Sequence, residues 1–410
     1  MNTKASPKKR IAIIGSGFSG LSAAAYAAQA GNEVHVFEKH NQPGGRARQF
    51  TTAEGFVFDM GPSWYWMPDI IDGFFQDFGF TSADFLDLIA LNPQFEIVFE
   101  KNSLAVPKSY SAFRGLFESL ESGAGKKLDQ FMERAKEKYT IGMQEFVQKP
   151  CHSWMEFLSP RIIKSSLRLD LFSNFRTYVN RYFKHPQLRS LMEFPVIFLG
   201  ASPQKIPALY SMMNYGGYVL GTWYPMGGFY QLVLAMKKIA TQQGVSFHFN
   251  QEVEKIVTEN GKATGIRVHG VDQPFDVVIA SSDYQHTETL LADGLANYTK
   301  EYWASRTFAP SCLLFYLGFN ERLNSIKHHT LFFENDLDAH LDSIYKDKKW
   351  PEKPLFYACC PSKTDPSVAP EGHENVFLLM PLATGIEDNE EIRAHYFQDM
   401  IARLEKHTGQ

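Results

Sequence analysis

Apolar positions change their period several times along the chain, and each change marks a different kind of element. Residues 11–14 form a short unbroken apolar run, and residues 33–38 alternate through Val34 and Val36, so both read as strands. Between them Ala23, Ala24, Ala25, Ala27 and Ala28 favour a helix over about residues 19–30, with little side-chain bulk to hold it away from a sheet. Gly31-Asn32 supplies its stop. From Ser111 the period becomes helical, with Phe113, Leu116, Phe117 and Leu120 on one face. Residues 122–125 break it. A second stripe follows in Leu128, Phe131, Met132, Ala135 and Tyr139, and a third helical region, basic and aromatic, runs roughly over 161–183. Beyond Pro207 glycine and aromatic residues dominate, and the loop 224–228 leads into a helix over about 229–242. Short β-type runs then occupy 245–249, 252–257, 263–268 and 275–280, with a turn at Asn260-Gly261.

The expected fold class is therefore α/β. A Rossmann-like domain with a parallel sheet is interrupted by a mainly helical insertion and then resumed, and a mixed β region follows. The boundaries drawn are 1–105 and 216–300 for the two parts of the Rossmann-like domain, 106–215 for the insertion and 301–410 for the last region.

Composition narrows the class. The chain has 410 residues, of which 44% are hydrophobic and 21% charged, as in ordinary globular proteins. The formal net charge of −4 gives no electrostatic footprint for nucleic acid. Cys151, Cys312, Cys359 and Cys360 have neither zinc nor redox spacing, which suits a reducing cytoplasm. The run 11–14 is too short for the core of a signal peptide, so export is not expected. No stretch of about 18 apolar residues suggests a transmembrane helix.

Gly15-Ser16-Gly17-Phe18-Ser19-Gly20 satisfies G-x-G-x-x-G directly after a strand and at the start of a helix. Gly15 permits the tight turn, Gly17 admits a pyrophosphate to the backbone, and Gly20 lets helix and strand pack closely. Free N–H groups and the macrodipole at the helix N-terminus favour the negative charge. Glu38, at the end of the second strand, has the spacing of a carboxylate that accepts hydrogen bonds from ribose hydroxyls. The pattern predicts a dinucleotide and leaves NAD and FAD unseparated.

The chain continues from Glu38-Lys39 to Pro43-Gly44-Gly45-Arg46 and Phe58-Asp59-Met60-Gly61-Pro62-Ser63. In this it resembles the FAD-dependent amine oxidase and phytoene desaturase superfamily. Residues 61–68 and 224–228 look more specifically like the CrtI-type phytoene desaturases, as do 250–256, 276–283 and 311–318. The resemblance implies FAD as cofactor, with Gly45 and Arg46 along its pyrophosphate and the backbone of Val253 at its adenine. Gly15, Ser16, Gly17, Ser19, Gly20, Glu38, Lys39, Gly61, Pro62 and Ser63 complete the implied binding set. It also implies removal of hydrogen from phytoene or a related carotenoid precursor. The family ends in a glycine-rich segment that helps close the site around the flavin. None occurs before Gln410, where the chain stops inside what reads as a helix continuing from about Asn389, so a C-terminal truncation is expected.

Such a reaction asks for an apolar passage, and Trp64, Tyr65, Trp66, Tyr218, Trp223 and Tyr224 are the candidates to line it, with plain core packing the equal alternative. No catalytic base and no terminal electron acceptor can be named. His328-His329 reads as a solvated turn and Cys359-Cys360 as buried structure, so no metal is expected. Arg161, Lys164, Arg168, Arg176, Arg181 and Lys184, interleaved with Ile162, Ile163, Leu167, Leu171, Phe172, Phe175, Val179 and Phe183, suit either an anionic bilayer surface or an amphipathic helix covering a core. A polyisoprenoid dissolved in lipid favours peripheral contact with the inner face of the membrane. Two other functions stay open. One is a different carotenoid-modifying activity in the same family: an isomerase, a hydroxycarotenoid desaturase or a ketolase. The other is a non-catalytic prenyl-lipid carrier like the GDP-dissociation inhibitors, against which the intact nucleotide motifs argue.

Overall fold

The computed structural model describes residues 7–143, 153, 169–197, 199–292 and 294–410. Cys151 and, from the basic and aromatic stretch, Arg161, Ile162, Ile163, Lys164, Leu167 and Arg168 lie outside the described residues. The chain divides into two units, one made of Met1–Ser63, Asp69–Leu88 and Pro225–Thr307, the other of Trp64–Pro68, Ile89–Tyr224 and Phe308–Gln410.

In the first unit β1 (Arg10–Ile14), α1 (Phe18–Gln29) and β2 (Glu33–Glu38) form the βαβ element that the apolar pattern predicts. Four strands make one parallel sheet in the order Val277–Ala280, β1, β2, Ser246–Phe249, so strands from beyond the helical stretch rejoin those at the start. The helix α1 buries Leu21, Ala24, Ala25 and Ala28, a single face at helical spacing, and the helix Tyr230–Gln242 packs against it. Gly31, at φ 87°, turns the chain out of α1 in the left-handed conformation that only glycine adopts freely.

A three-stranded antiparallel sheet, Val253–Glu259, Lys262–Val268 and Val271–Pro274, belongs to the same unit. Its first turn has Asn260 and Gly261 both at positive φ, as a two-residue hairpin of this hand requires. The strand expected over 275–280 begins two residues later, as Val277–Ala280. Asp276 accepts the Arg10 N–H at 2.7 Å and donates its own to the Arg10 carbonyl, which sets only the residues after it in register with β1.

The second unit is built on a six-stranded mixed sheet in the order Ser311–Phe319, Glu374–Leu382, Phe356–Cys359, His329–Phe332, Phe95–Val98, Ser103–Val106. Alternation sends Phe95, Ile97, Leu331, Tyr357, Cys359 and Phe377 to one face, where they join Phe113, Phe117, Phe131, Phe175 and Phe183 from the helices. Phe332, Phe356, Val376, Leu378 and Met380 take the other face, covered by Tyr396, Met400 and Leu404 of the helix Glu390–Thr408. At its end Gly409, φ 75°, donates its N–H to the Glu405 carbonyl.

Of the third helical region, the described part is a helix only over Phe175–Tyr182, started by the Asn174 side chain accepting the Thr177 N–H at 2.8 Å. It buries Phe175, Tyr178 and Val179, and Arg176 is held by Glu193 and Asp338, so here the core-covering alternative describes the helix. Among the described residues no helix is long and apolar enough to cross a membrane.

Candidate functional site

In the first unit two glycine turns meet. Gly15 leaves β1 at φ 94°, and Ser281, at the end of the neighbouring strand, lies with its hydroxyl 2.8 Å from the Ile14 carbonyl and 3.0 Å from that of Gly15. A Cβ at Gly20 would fall 2.1 Å from the Gly15 carbonyl oxygen, so the helix can approach the turn only as glycine. Gly17 is different, because a Cβ there would meet nothing within 4 Å. Its backbone faces open space, and among the described residues no side chain caps the first N–H groups of α1. An anion at this corner would satisfy donors the fold leaves available.

The second turn, Gly44 to Ala47, is tied to the first by the Gly44 N–H donating to the Ser16 carbonyl at 2.8 Å. A Cβ on Gly45 would touch the Cα of Gly17 at 3.4 Å. Arg46 projects from this turn, exposed, and its guanidinium has no ion pair or hydrogen bond with a described residue. A free cationic fork beside uncapped N–H groups is a fitting place for a diphosphate. Gly61 lies behind it, since a Cβ there would fall 2.1 Å from the Arg46 carbonyl oxygen. Pro62 and Ser63 follow, half-buried, while Ser19 and Lys39 are exposed.

Glu38 is buried at the end of β2 and accepts the Ser16 N–H at 3.0 Å, the Ser16 hydroxyl at 2.7 Å and the His40 N–H at 3.0 Å. The N–H of Gln251 donates to the Glu38 carbonyl and that of Asn250 to the His40 carbonyl, so the segment entering Val253 runs along the backbone from Glu38 to His40. The structure thus gathers Gly15, Ser16, Gly17, Gly20, Glu38, Gly45, Arg46, Gly61 and Val253 at one end of the parallel sheet.

Sequence reasoning gave no role to Asp59. Its carboxylate accepts the Phe229 N–H at 2.6 Å, the Tyr230 N–H at 3.2 Å and Gln49 Nε2 at 3.1 Å, capping the helix Tyr230–Gln242. Burial raises its pKa to about 6, against the lowering by these three donors. The partners are 170 residues apart, a separation that no local motif reports.

The aromatic candidates belong to the second unit, and each has a defined partner. Trp64 stacks on His329 at 4.1 Å between ring centres and meets Phe95 and Trp66 edge-on. Trp66 donates its indole N–H to the Thr222 hydroxyl, and Trp223 donates its own to the Leu220 carbonyl. Tyr65, wholly buried, accepts the Trp223 backbone N–H at its carbonyl. The Tyr218 hydroxyl donates to the Leu191 carbonyl and that of Tyr224 to Asp365. Trp64 and Trp223 are half-buried, whereas Tyr65, Trp66, Tyr218 and Tyr224 are buried.

His328 and His329 are not on a solvated turn. Both are buried, because His329 opens an interior strand of the six-stranded sheet and His328 sits beneath Thr364 and Tyr224. Burial pushes the pKa of His328 down to about 3 and that of His329 well below its ordinary value. Cys359 and Cys360 are buried as expected.

Residues 18–406 match the family described as flavin containing amine oxidoreductase. Over 97% of its length the chain is 37% identical to the carotenoid 3,4-desaturase of Haloarcula japonica, covering 81% of that protein. It is 30% identical to the zeta-carotene-forming phytoene desaturase of Myxococcus xanthus over 96% of this chain and 77% of that one. A solved oxidoreductase from Methanosarcina mazei shares the fold, with a TM-score of 0.62 at 17% identity over 97% of this chain and 84% of that one.

Proposed function

The chain belongs to the flavin containing amine oxidoreductase family and is an FAD-dependent oxidoreductase, and we propose that it desaturates an acyclic carotenoid precursor, phytoene or a near relative. The observation that carries this reading is the pair of touching glycine turns, the first held by Glu38 and the second carrying Arg46, in a chain whose likeness to carotenoid desaturases runs almost end to end.

FAD, when bound, supplies the acceptor for a hydride leaving a saturated carbon flanked by double bonds. The chain's own residues hold and shield. In this reading the backbone at Gly15, Ser16, Gly17, Ser19 and Gly20 takes the diphosphate on the N-terminus of α1, and Arg46 neutralises it from the second turn. Glu38 takes ribose hydroxyls, Val253 borders the adenine, and Lys39 adds positive charge nearby. Gly45, Gly61, Pro62 and Ser63 keep the cradle free of side-chain bulk.

On the substrate side, the half-buried rings of Trp64 and Trp223 offer apolar surface to a polyene. Tyr65 holds Trp223 through its carbonyl and Trp66 packs edge-on against Trp64, while Tyr224 is anchored to Asp365. Aromatic faces suit the positive charge that develops on an allylic carbon as hydride departs.

A substrate dissolved only in lipid also supports peripheral membrane contact from the cytoplasmic side. Phe172, 85% exposed and ahead of Arg181 and Lys184, is the described side chain that best fits insertion. The test is expression in cells that accumulate phytoene. Products lighter by two hydrogens per step, absorbing at longer wavelength, are expected, and phytoene, and more unsaturated acyclic carotenoids supplied in its place, all left unchanged beside abundant FAD-bound protein would overturn the reading.

A further inference from the structure

Three side chains of the second unit that desaturation does not use come together inside its core. The register of the strands His329–Phe332 and Phe356–Cys359 sets His329 directly opposite Cys359, so their side chains share a face. His328 precedes that strand, and its ring lies 4.5 Å from that of His329. One ligand atom from each of His328, His329 and Cys359 lies within 4.8 Å of the other two, and all three residues are buried. Cys359 Sγ is 3.7 Å from His329 Nδ1, the ring nitrogen that the Tyr357 hydroxyl also meets, so ligation through Nε2 requires the thiol or the ring to turn.

The hydrogen bonding of the two imidazoles is half complete. His328 Nδ1 meets the Thr364 hydroxyl at 2.7 Å, and His329 Nδ1 meets the Tyr357 hydroxyl at 2.5 Å. Nε2 of His328 and Nε2 of His329 are both buried without a hydrogen-bond partner among the described residues. A buried polar atom left unsatisfied costs about 1–3 kcal/mol, and two in adjacent residues beside a thiol are a costly coincidence for packing alone. A metal ion would remove that cost, and a hydroxyl or carbonyl partner on the unused face of an imidazole is the usual orienting arrangement in metal sites.

We propose that His328, His329 and Cys359 bind a thiophilic d10 metal ion, zinc(II) or copper(I), through two imidazole nitrogens and one thiolate. The donor set selects the ion class, because nitrogen and sulfur together suit zinc and copper(I) and exclude magnesium and calcium. Bond lengths of about 2.0–2.3 Å would require the three ligand atoms to close up by about 1 Å, within the reach of side-chain rotation. Binding releases the thiol proton to solvent and breaks no other bond. The ion would tie two neighbouring strands of the six-stranded sheet, a structural role independent of the flavin.

The test uses the FAD-bound protein from cells grown with added zinc or added copper, desalted in the presence of a weak chelator and analysed for metal by mass spectrometry. One ion of zinc or of copper per chain is expected, the two growth media distinguishing the metals. In Cys359→Ser and His328→Asn the content should fall at least about tenfold while the flavin-to-protein ratio is unchanged. A second measurement on the unaltered protein avoids reliance on the variants: titration with cobalt(II) should raise a thiolate-to-metal charge-transfer band that zinc abolishes. Absence of both bound metal and that band, or metal content unaffected in Cys359→Ser, would overturn the proposal.

Discussion

Gly61 stands so close to Arg46 that a methyl group on it would lie 2.1 Å from the Arg46 carbonyl oxygen. The obstacle is backbone, which cannot rotate away as a side chain would. Gly61→Ala should therefore displace the turn that carries Arg46. Purified Gly61→Ala is expected to retain less than about a tenth of the flavin per chain, a loss of roughly 1.4 kcal/mol or more in binding.

Arg46 should matter through its charge and fork rather than through packing, since it is exposed and touches no described partner. A hydrogen bond to a charged group contributes about 1.5–3 kcal/mol, so Arg46→Ala should weaken FAD binding about 10- to 100-fold with the melting temperature of the apoprotein unchanged. Lysine should rescue only part of this, because it lacks the bidentate geometry. Fluorescence titration of the apoprotein with FAD measures both.

Glu38 is needed as a carboxylate, with both oxygens accepting from main-chain N–H groups. In Glu38→Gln one N–H must face the amide nitrogen, donor against donor, whichever way the side chain turns. That leaves a buried donor unsatisfied at about 1–3 kcal/mol. The expected outcome is a lower melting temperature of the apoprotein and an FAD dissociation constant raised about tenfold, read in thermal scans with and without added FAD.

In the helical part of the second unit Glu121 joins three chain segments, accepting Lys127 Nζ at 2.7 Å and the N–H groups of Lys184 and His185 at 2.7 and 2.9 Å. These contacts outweigh burial and hold its carboxyl down at about 2, against an ordinary 4.5. The folded value is the lower one, so the stabilisation is fully present above about pH 4.5 and is lost as pH falls toward 2. Glu121→Gln should cost about 2 kcal/mol at neutral pH and progressively less in acid. Denaturant midpoints at neutral and acid pH would reveal a constant difference if this account of Glu121 is wrong.

Much of the geometry of the candidate nucleotide cradle was legible in the sequence because its determinants are local. Gly15, Gly17, Gly20 and Glu38 follow one strand–turn–helix–strand unit, and their placement depends on spacing within a few turns of chain. The helical stripes through Phe113 and Phe131 were legible for the same reason. Asp59 and Ser281 were not, because each acts on a segment far away in the chain, Asp59 on the helix after Phe229 and Ser281 on the turn after β1. The histidine pair misled, since two adjacent polar residues after Lys327 look like a turn. Only the pairing of their strand with Phe356–Cys359 and Phe95–Val98 puts them inside. The strand expected over 275–280 is present as Val277–Ala280, its start set by the Asp276 carboxylate that accepts the Arg10 N–H.

The most direct test of flavin-dependent desaturation is a single turnover without oxygen. FAD-bound protein is mixed anaerobically with phytoene in liposomes, and the flavin and polyene spectra are followed together. The expected result is bleaching of the oxidised flavin in step with the appearance of a polyene that has lost two hydrogens and absorbs at longer wavelength. Flavin that stays oxidised while phytoene, and in turn more unsaturated acyclic carotenoids, are recovered unchanged would contradict it.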